Sequence, residues 1–144
     1  MAIARPRRQA GGIVFRWEGD APSVLIVSAA RNPKRWVLPK GSVRRFERPA
    51  YAALREVEEE AGVIGRIVAP ARVVEHAAGN GRVRLEYFLI EHIRDVKPKE
   101  KRRVQWCPVE DAIQLLSYGS ARKSLLDANP QIVRYARKRQ PREG

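Results

Sequence analysis

The order of segments along the chain predicts an α+β fold, with a mixed β-sheet core and flanking helices. Three observations carry that expectation. Two Val- and Ile-rich stretches precede a helix bracketed by Pro49 and Gly62; a second pair of such stretches straddles the turn sequence AGNG; further helical segments close the chain.

Taken in order, QAGGIVFRW (9–17) and SVLIVSA (23–29) read as strands joined by the turn residues of EGDAP (18–22). A basic loop, Arg31 to Arg35, leads to the apolar piece Trp36 to Leu38, where Trp36 is expected in the core. Pro39, Gly41 and a polar loop to Arg48 follow. Pro49 suits the first position of a helix, which Gly62 ends through a left-handed cap. Ala53, Leu54, Val57 and Ala61 give that helix one apolar stripe to dock on a sheet. ARVVEH (71–76) and VRLEYFLIEHI (83–93) form a hairpin about the Asn80-Gly81 pair. RVQWC (103–107) is a short strand, and PVEDAIQLLSYG a helix from Pro108 capped by Gly119. A last helix, over about 121–137, is expected to break or kink at Pro130.

At 144 residues the chain fits one domain, 1–144, with a basic C-terminal tail from about 134. Its 44% hydrophobic and 31% charged content excludes a disordered chain. No segment approaches the roughly 20 apolar residues of a membrane span, and MAIARPRRQAGG lacks the apolar run of a signal peptide, so a cytoplasmic protein without a membrane partner is expected. A single cysteine, Cys107, excludes an internal disulfide and a cysteine-based zinc cluster, and is read as core filling. His76 and His92 have no metal-like spacing. A net charge of +13, from 29 Lys and Arg against 16 Asp and Glu, predicts a polyanionic partner.

Against that charge, REVEEEAG gathers four glutamates into five positions. Glu56, Glu59 and Glu60 stand at i, i+3 and i+4, so a helix turns them toward one side, while Glu58 points elsewhere and is read as solvated. Converging carboxylates repel unless cations neutralise them, and oxygen-only ligands on a rigid element suit Mg²⁺ or Mn²⁺. Arg55 is placed to hold a carboxylate through its planar fork.

The segment from Gly41 to Val63, GSVRRFERPAYAALREVEEEAGV, resembles the Nudix box of the Nudix hydrolases at every defining position. The resemblance implies an α/β/α sandwich and an enzyme that cleaves phosphoanhydrides with Mg²⁺ or Mn²⁺. By position, it implies that Glu56, Glu59 and Glu60 bind the cation, one of them helping to activate water, and that Arg55 orients them. It further implies that Gly41 lets a backbone carbonyl, that of Lys40, reach the metal, that Glu47 binds or braces the site, and that Gly62 ends the helix. Where many family members carry Gly before the first box glutamate, this chain has Phe46. Glu86 and Glu91, on a predicted strand, are candidates for an extra ligand or base.

Val27 to Val43 looks like the entry to the box in the diphosphoinositol polyphosphate and diadenosine polyphosphate hydrolases, and Lys101 to Leu116 like the later strand-and-helix segment of the diphosphoinositol group. They place Arg31, Lys34, Arg35, Lys40, Arg44 and Arg45 around the metal site, to meet a substrate with many phosphates. Two other readings stay open: sanitising of nucleoside triphosphates or removal of pyrophosphate from RNA 5′ ends, and a non-catalytic Nudix-fold module that binds nucleotide or RNA through its basic surface. Oligomeric state is not legible.

Overall fold

Successive residues of a strand face opposite sides of a sheet, and the first strand of the computed structural model buries both: Ile13 and Phe15 on one face, Val14 on the other. Such a strand belongs in the middle of a sandwich. The structure describes residues 5–139. Within them run β1 (Arg7–Glu18), β2 (Ala21–Ser28), β3 (Trp36–Val37), β4 (Lys40–Ser42), α1 (Pro49–Ala61), β5 (Val63–Ala78), β6 (Gly81–Asp95), β7 (Val104–Pro108), α2 (Val109–Leu115) and α3 (Gly119–Arg139).

The strands form one mixed sheet of order β3-β2-β1-β6-β5, with β4 pairing β1 and β7 pairing β2. β1 runs parallel to β6 from the Arg7↔Val83 pair to Phe15↔Glu91. Its other edge is shared, with β4 alongside Gln9 to Gly11 and β2 alongside Phe15 to Glu18, both antiparallel. α1 covers one face, where Ala52, Ala53, Val57 and Ala61 meet Val14, Leu25, Val27 and Ile90. α2 and α3 cover the other, placing Ala112, Leu125 and Ile132 on Ile13, Phe15, Ile26 and Leu89. This is the expected α+β class, with helices on both sides of a mixed sheet. Trp36 and Cys107 are buried, as their neighbours predict. No helix among the described residues is long and apolar enough to cross a membrane.

Four details depart from the sequence reading. β5 begins at Val63, directly after α1, and not at residue 71. Gly65 and Pro70 hide its first half, since both are poor strand formers. They are accommodated because β5 is an edge strand whose register shifts near both residues. The hairpin turn is Gly79-Asn80, between the paired Ala78 and Gly81, with the positive φ (59°) on Gly79. α2 stops at Leu115, and Gly119 opens α3 instead of capping α2. α3 runs unbroken through Pro130. Proline there removes a bond to the carbonyl of Leu126, a half-exposed residue that solvent reaches, while Ile132 and Tyr135 beyond it pack on the core. The basic segment from 134 is therefore helical as far as Arg139, and its remainder, 140–144, lies outside the described residues.

Candidate cation and polyphosphate site

The site grows from the two ends of α1. Pro49 fixes the helix start and Gly62, at φ 68°, closes it, its N–H donating to the Glu58 carbonyl. Gly62 has a second task. A Cβ there would come within 2.4 Å of the Val96 carbonyl oxygen, so only glycine lets the 96–103 loop lie against the helix end. The N–H groups of Lys99 and Glu100 then donate to the Glu59 carbonyl at 3.0 and 2.9 Å. This delivers the Glu100 side chain to the helix face, where carboxylate oxygens of Glu56, Glu59 and Glu100 lie within 4.8 Å of one another.

No local pattern marks Glu100. It stands alone among the cations of KPKEKRR, and only the path of the loop brings it to the helix. Glu86 and Glu91 do not join the cluster: Glu86 faces Arg8 and Arg84, and Glu91 faces Arg66 and Tyr135.

Arg55 ties this face together. Its Nε and Nη2 donate to the two carboxylate oxygens of Glu47 at 2.8 and 2.9 Å, and its Nη1 to Glu56 at 2.8 Å and Glu59 at 3.3 Å. Nη2 also reaches the Ser42 carbonyl at 2.9 Å. The guanidinium holds the Glu47 carboxyl down to about 2, and those hydrogen bonds raise the affinity of Arg55 for its proton. Glu56 is pushed the other way, its pKa raised chiefly by burial although Arg55 opposes.

Gly41 presses on the same carboxylate. A Cβ at Gly41 would stand 2.2 Å from Cδ of Glu56, inside the group itself. Any side chain there forces the Glu56 carboxylate to move. Glu60, only 3% exposed, turns toward β4 and the 96–103 loop. It accepts the Lys40 N–H at 2.8 Å and faces Arg102 Nη2 at 3.0 Å. Burial raises its pKa to about 8 against the pull of Arg102, and burial lowers that of the Lys40 ammonium. Glu58 is exposed, as expected.

Beside Glu60 opens a cavity of about 840 Å³. Arg31, Lys40 and Arg102 give it cations, and Leu85, Tyr87 and Tyr118 supply apolar and aromatic wall. Of the six basic residues expected around the site, Arg31 and Lys40 line this cavity. Arg35 lies over the Tyr118 ring, 5.5 Å from its centroid, and Lys34 is exposed on the same loop. Arg44 approaches Glu59 at 3.6 Å and is absent from the cavity lining. Arg45 covers Phe46, its guanidinium 5.1 Å from the ring centroid. Arg102, the best-connected cation of the cavity, was not singled out from sequence. It also holds Glu100 at 2.9 Å and the Ser28 carbonyl at 2.8 Å.

The turn before Glu47 keeps its geometry despite Phe46. Glu47 N–H donates to the Arg44 carbonyl at 3.0 Å, and Phe46 holds φ at 66° in the position where such a turn favours glycine. For a residue with a Cβ this conformation costs about 1–2 kcal/mol.

A carboxylate cluster braced by an arginine fork beside a cationic cavity suits phosphate chemistry, and comparison with known proteins gives the family. The model of the NUDIX domain matches residues 5–128, and the chain belongs to the Nudix hydrolase family. It is 36% identical over 114 residues to human diphosphoinositol polyphosphate phosphohydrolase 3-beta, covering 76% of this chain and 69% of that one. Rat diphosphoinositol polyphosphate phosphohydrolase 2 is 34% identical over 113 residues, which cover 76% of this chain and 63% of the rat protein. Among solved structures, the binary complex of C. elegans Ap4A hydrolase matches with a TM-score of 0.77 at 25% identity, over 88% of this chain and 98% of that one. A MutT NUDIX hydrolase from Burkholderia pseudomallei matches with a TM-score of 0.70 at 26% identity, over 86% and 98%.

Proposed function

We propose that this Nudix hydrolase cleaves a phosphoanhydride bond of a dinucleoside polyphosphate in a reaction that depends on Mg²⁺ or Mn²⁺. One observation carries the reading: three carboxylates converge within 4.8 Å beside a cavity that joins Arg31, Lys40 and Arg102 to an aromatic wall.

The donor set fits the ion. Glu56, Glu59 and Glu100 offer hard oxygen atoms, and the room kept by Gly41 keeps Glu56 in place. Those three would hold the cation, with the Lys40 carbonyl and Glu60 at its cavity side. When bound, a divalent cation neutralises phosphate charge and lowers the pKa of a water. The chain's own residues do the rest. Arg55, locked by Glu47, fixes the carboxylates before substrate arrives, so little reorganisation is left for the reacting complex. Lys40, Arg102 and Arg31 take the phosphates on the cavity side. Tyr118, 46% exposed, offers a surface for a base.

A second reading, a diphosphoinositol polyphosphate, is favoured by the named activity of the curated relatives and by the exposed Lys97, Lys99, Lys101 and Arg103 on the loop that carries Glu100. A hydrolysis screen separates them. Diadenosine tetraphosphate, a diphosphoinositol pentakisphosphate, nucleoside triphosphates and 5′-triphosphorylated RNA are incubated with and without Mg²⁺, and products are identified. Fastest Mg²⁺-dependent cleavage of the dinucleotide is expected. Exclusive cleavage of the inositol compound selects the second reading, and no cleavage of any compound overturns both.

A further inference from the structure

Phe46 combines three features that folding does not explain. It holds the left-handed φ of 66°, its residue surface is 94% exposed, and its ring meets the Arg45 guanidinium 5.1 Å from the centroid and takes no part in either apolar cluster. A glycine would meet the backbone requirement of this turn without strain. The strained conformation and the exposed ring are instead what a contact to a bound molecule needs, since strain kept at a site is a pointer to function.

The position of the ring says which molecule. Phe46 immediately precedes Glu47, which locks Arg55, and Arg44 of the same turn reaches Glu59 at 3.6 Å. At Glu60, next to Glu59 on the helix, the cavity opens with Lys40 and Arg102. Contacts therefore run from the cavity through Arg102 and Glu100 to the cluster, and on through Arg55 to the Glu47 turn that carries the exposed ring, with Arg31, Lys40 and Arg102 at one end and Arg44 and Arg45 at the other. A polyphosphate with an aromatic group at each end matches that sequence of charge and ring.

We propose that Phe46, backed by Arg45, is a stacking face for the second nucleobase of a dinucleoside polyphosphate whose phosphates cross the Glu56/Glu59/Glu100 cluster. This rests on the dinucleoside reading of the site. It makes Phe46 a specificity-determining residue that acts on binding and not on the chemical step.

The test compares a methylene-bridged, non-hydrolysable diadenosine tetraphosphate with inorganic tetraphosphate, titrated calorimetrically into the full chain and into Phe46→Gly and Phe46→Trp. Glycine accepts the φ of this position, so the variant is expected to melt no lower than the parent. Phe46→Gly is expected to bind the dinucleotide about tenfold more weakly, the scale of one base stacked on an aromatic ring, and tetraphosphate as before. Phe46→Trp is expected to retain both affinities. In hydrolysis, KM for diadenosine tetraphosphate rises in Phe46→Gly while kcat holds. Equal losses for both ligands would make the turn a phosphate-binding loop and overturn the stack, as would no loss for either. A parent that sediments as a dimer and a Phe46→Gly variant that sediments as a monomer would also overturn it, by assigning the ring to self-association. If the parent hydrolyses the dinucleotide and Phe46→Gly binds it equally well, the stack falls and the hydrolase reading stands. If the parent neither binds nor cleaves dinucleoside polyphosphates, the dinucleoside reading falls and takes the stack with it.

Discussion

Nη2 of Arg102 stands 3.0 Å from Oε1 of Glu60, and the two side chains are 12% and 4% exposed. A charge pair this enclosed is asymmetric: removing one partner strands the other in a poorly solvated place. Arg102→Ala is expected to lower unfolding free energy by about 3 kcal/mol or more, read from urea denaturation at pH 9, above the Glu60 pKa of about 8, where the pair is charged. Adding Glu60→Gln to Arg102→Ala removes the stranded charge and should restore part of that loss. A double variant no more stable than the single one would show that Arg102 acts chiefly through Glu100 and Ser28.

Gly41→Ala tests the placement of Glu56. The new Cβ would fall 2.2 Å from Cδ of that residue, whose carboxylate must move. Phosphoanhydride hydrolysis should drop by about 100-fold or more, comparable to losing one preorganised electrostatic contact. Circular dichroism should show an unchanged fold. Activity within a few-fold of the parent would mean that the Glu56 carboxylate is dispensable.

Glu59→Gln keeps the shape of the side chain and removes its charge. Turnover should fall about 10²- to 10³-fold, and the response of the melting temperature to added Mg²⁺ should shrink. Glu58→Gln, exposed on the same helix, should change neither quantity.

Glu47 gives stability a dependence on acid. Its folded pKa, lowered to about 2 chiefly by Arg55, lies below the ordinary glutamate value, so the stabilisation is complete above about 4.5 and is lost as pH falls toward 2. Glu47→Gln should cost about 1–3 kcal/mol at pH 7, the worth of hydrogen bonds to a charged group. The difference from the parent should narrow through that window, in denaturant titrations run at a series of pH values. A constant difference from pH 7 to pH 2 would place the effect outside the ion pair.

The parts legible in the sequence were those set by local chemistry. Pro49 and Gly62 bound α1 because each fixes a backbone geometry, and the helical spacing of Glu56 and Glu59 put their carboxylates on one side. What lay hidden depended on partners distant in sequence. The early half of β5 is recognisable only from its pairing with β6, and Glu100 and Arg102 reach the site because a loop threads past Gly62. Glu60 shares the spacing of its neighbours, yet it turns inward because the Lys40 N–H and Arg102 await it there. Helical periodicity fixed its side of the helix and not its partner.

The parallel pairing of β1 with β6 also bears on how the molecule comes into being. β1 leaves the ribosome well before β6, and its register, from Arg7↔Val83 to Phe15↔Glu91, cannot be set until β6 has emerged. Contacts so remote along the chain make for slow closure of the sheet and a nascent chain whose apolar strands await their partner. A chain interrupted after β5 would carry Glu47, Arg55, Glu56 and Glu59 with neither the strand at their back nor Glu100 beside them. The carboxylate cluster is thus complete only after the 96–103 loop has emerged and brought Glu100 to the helix.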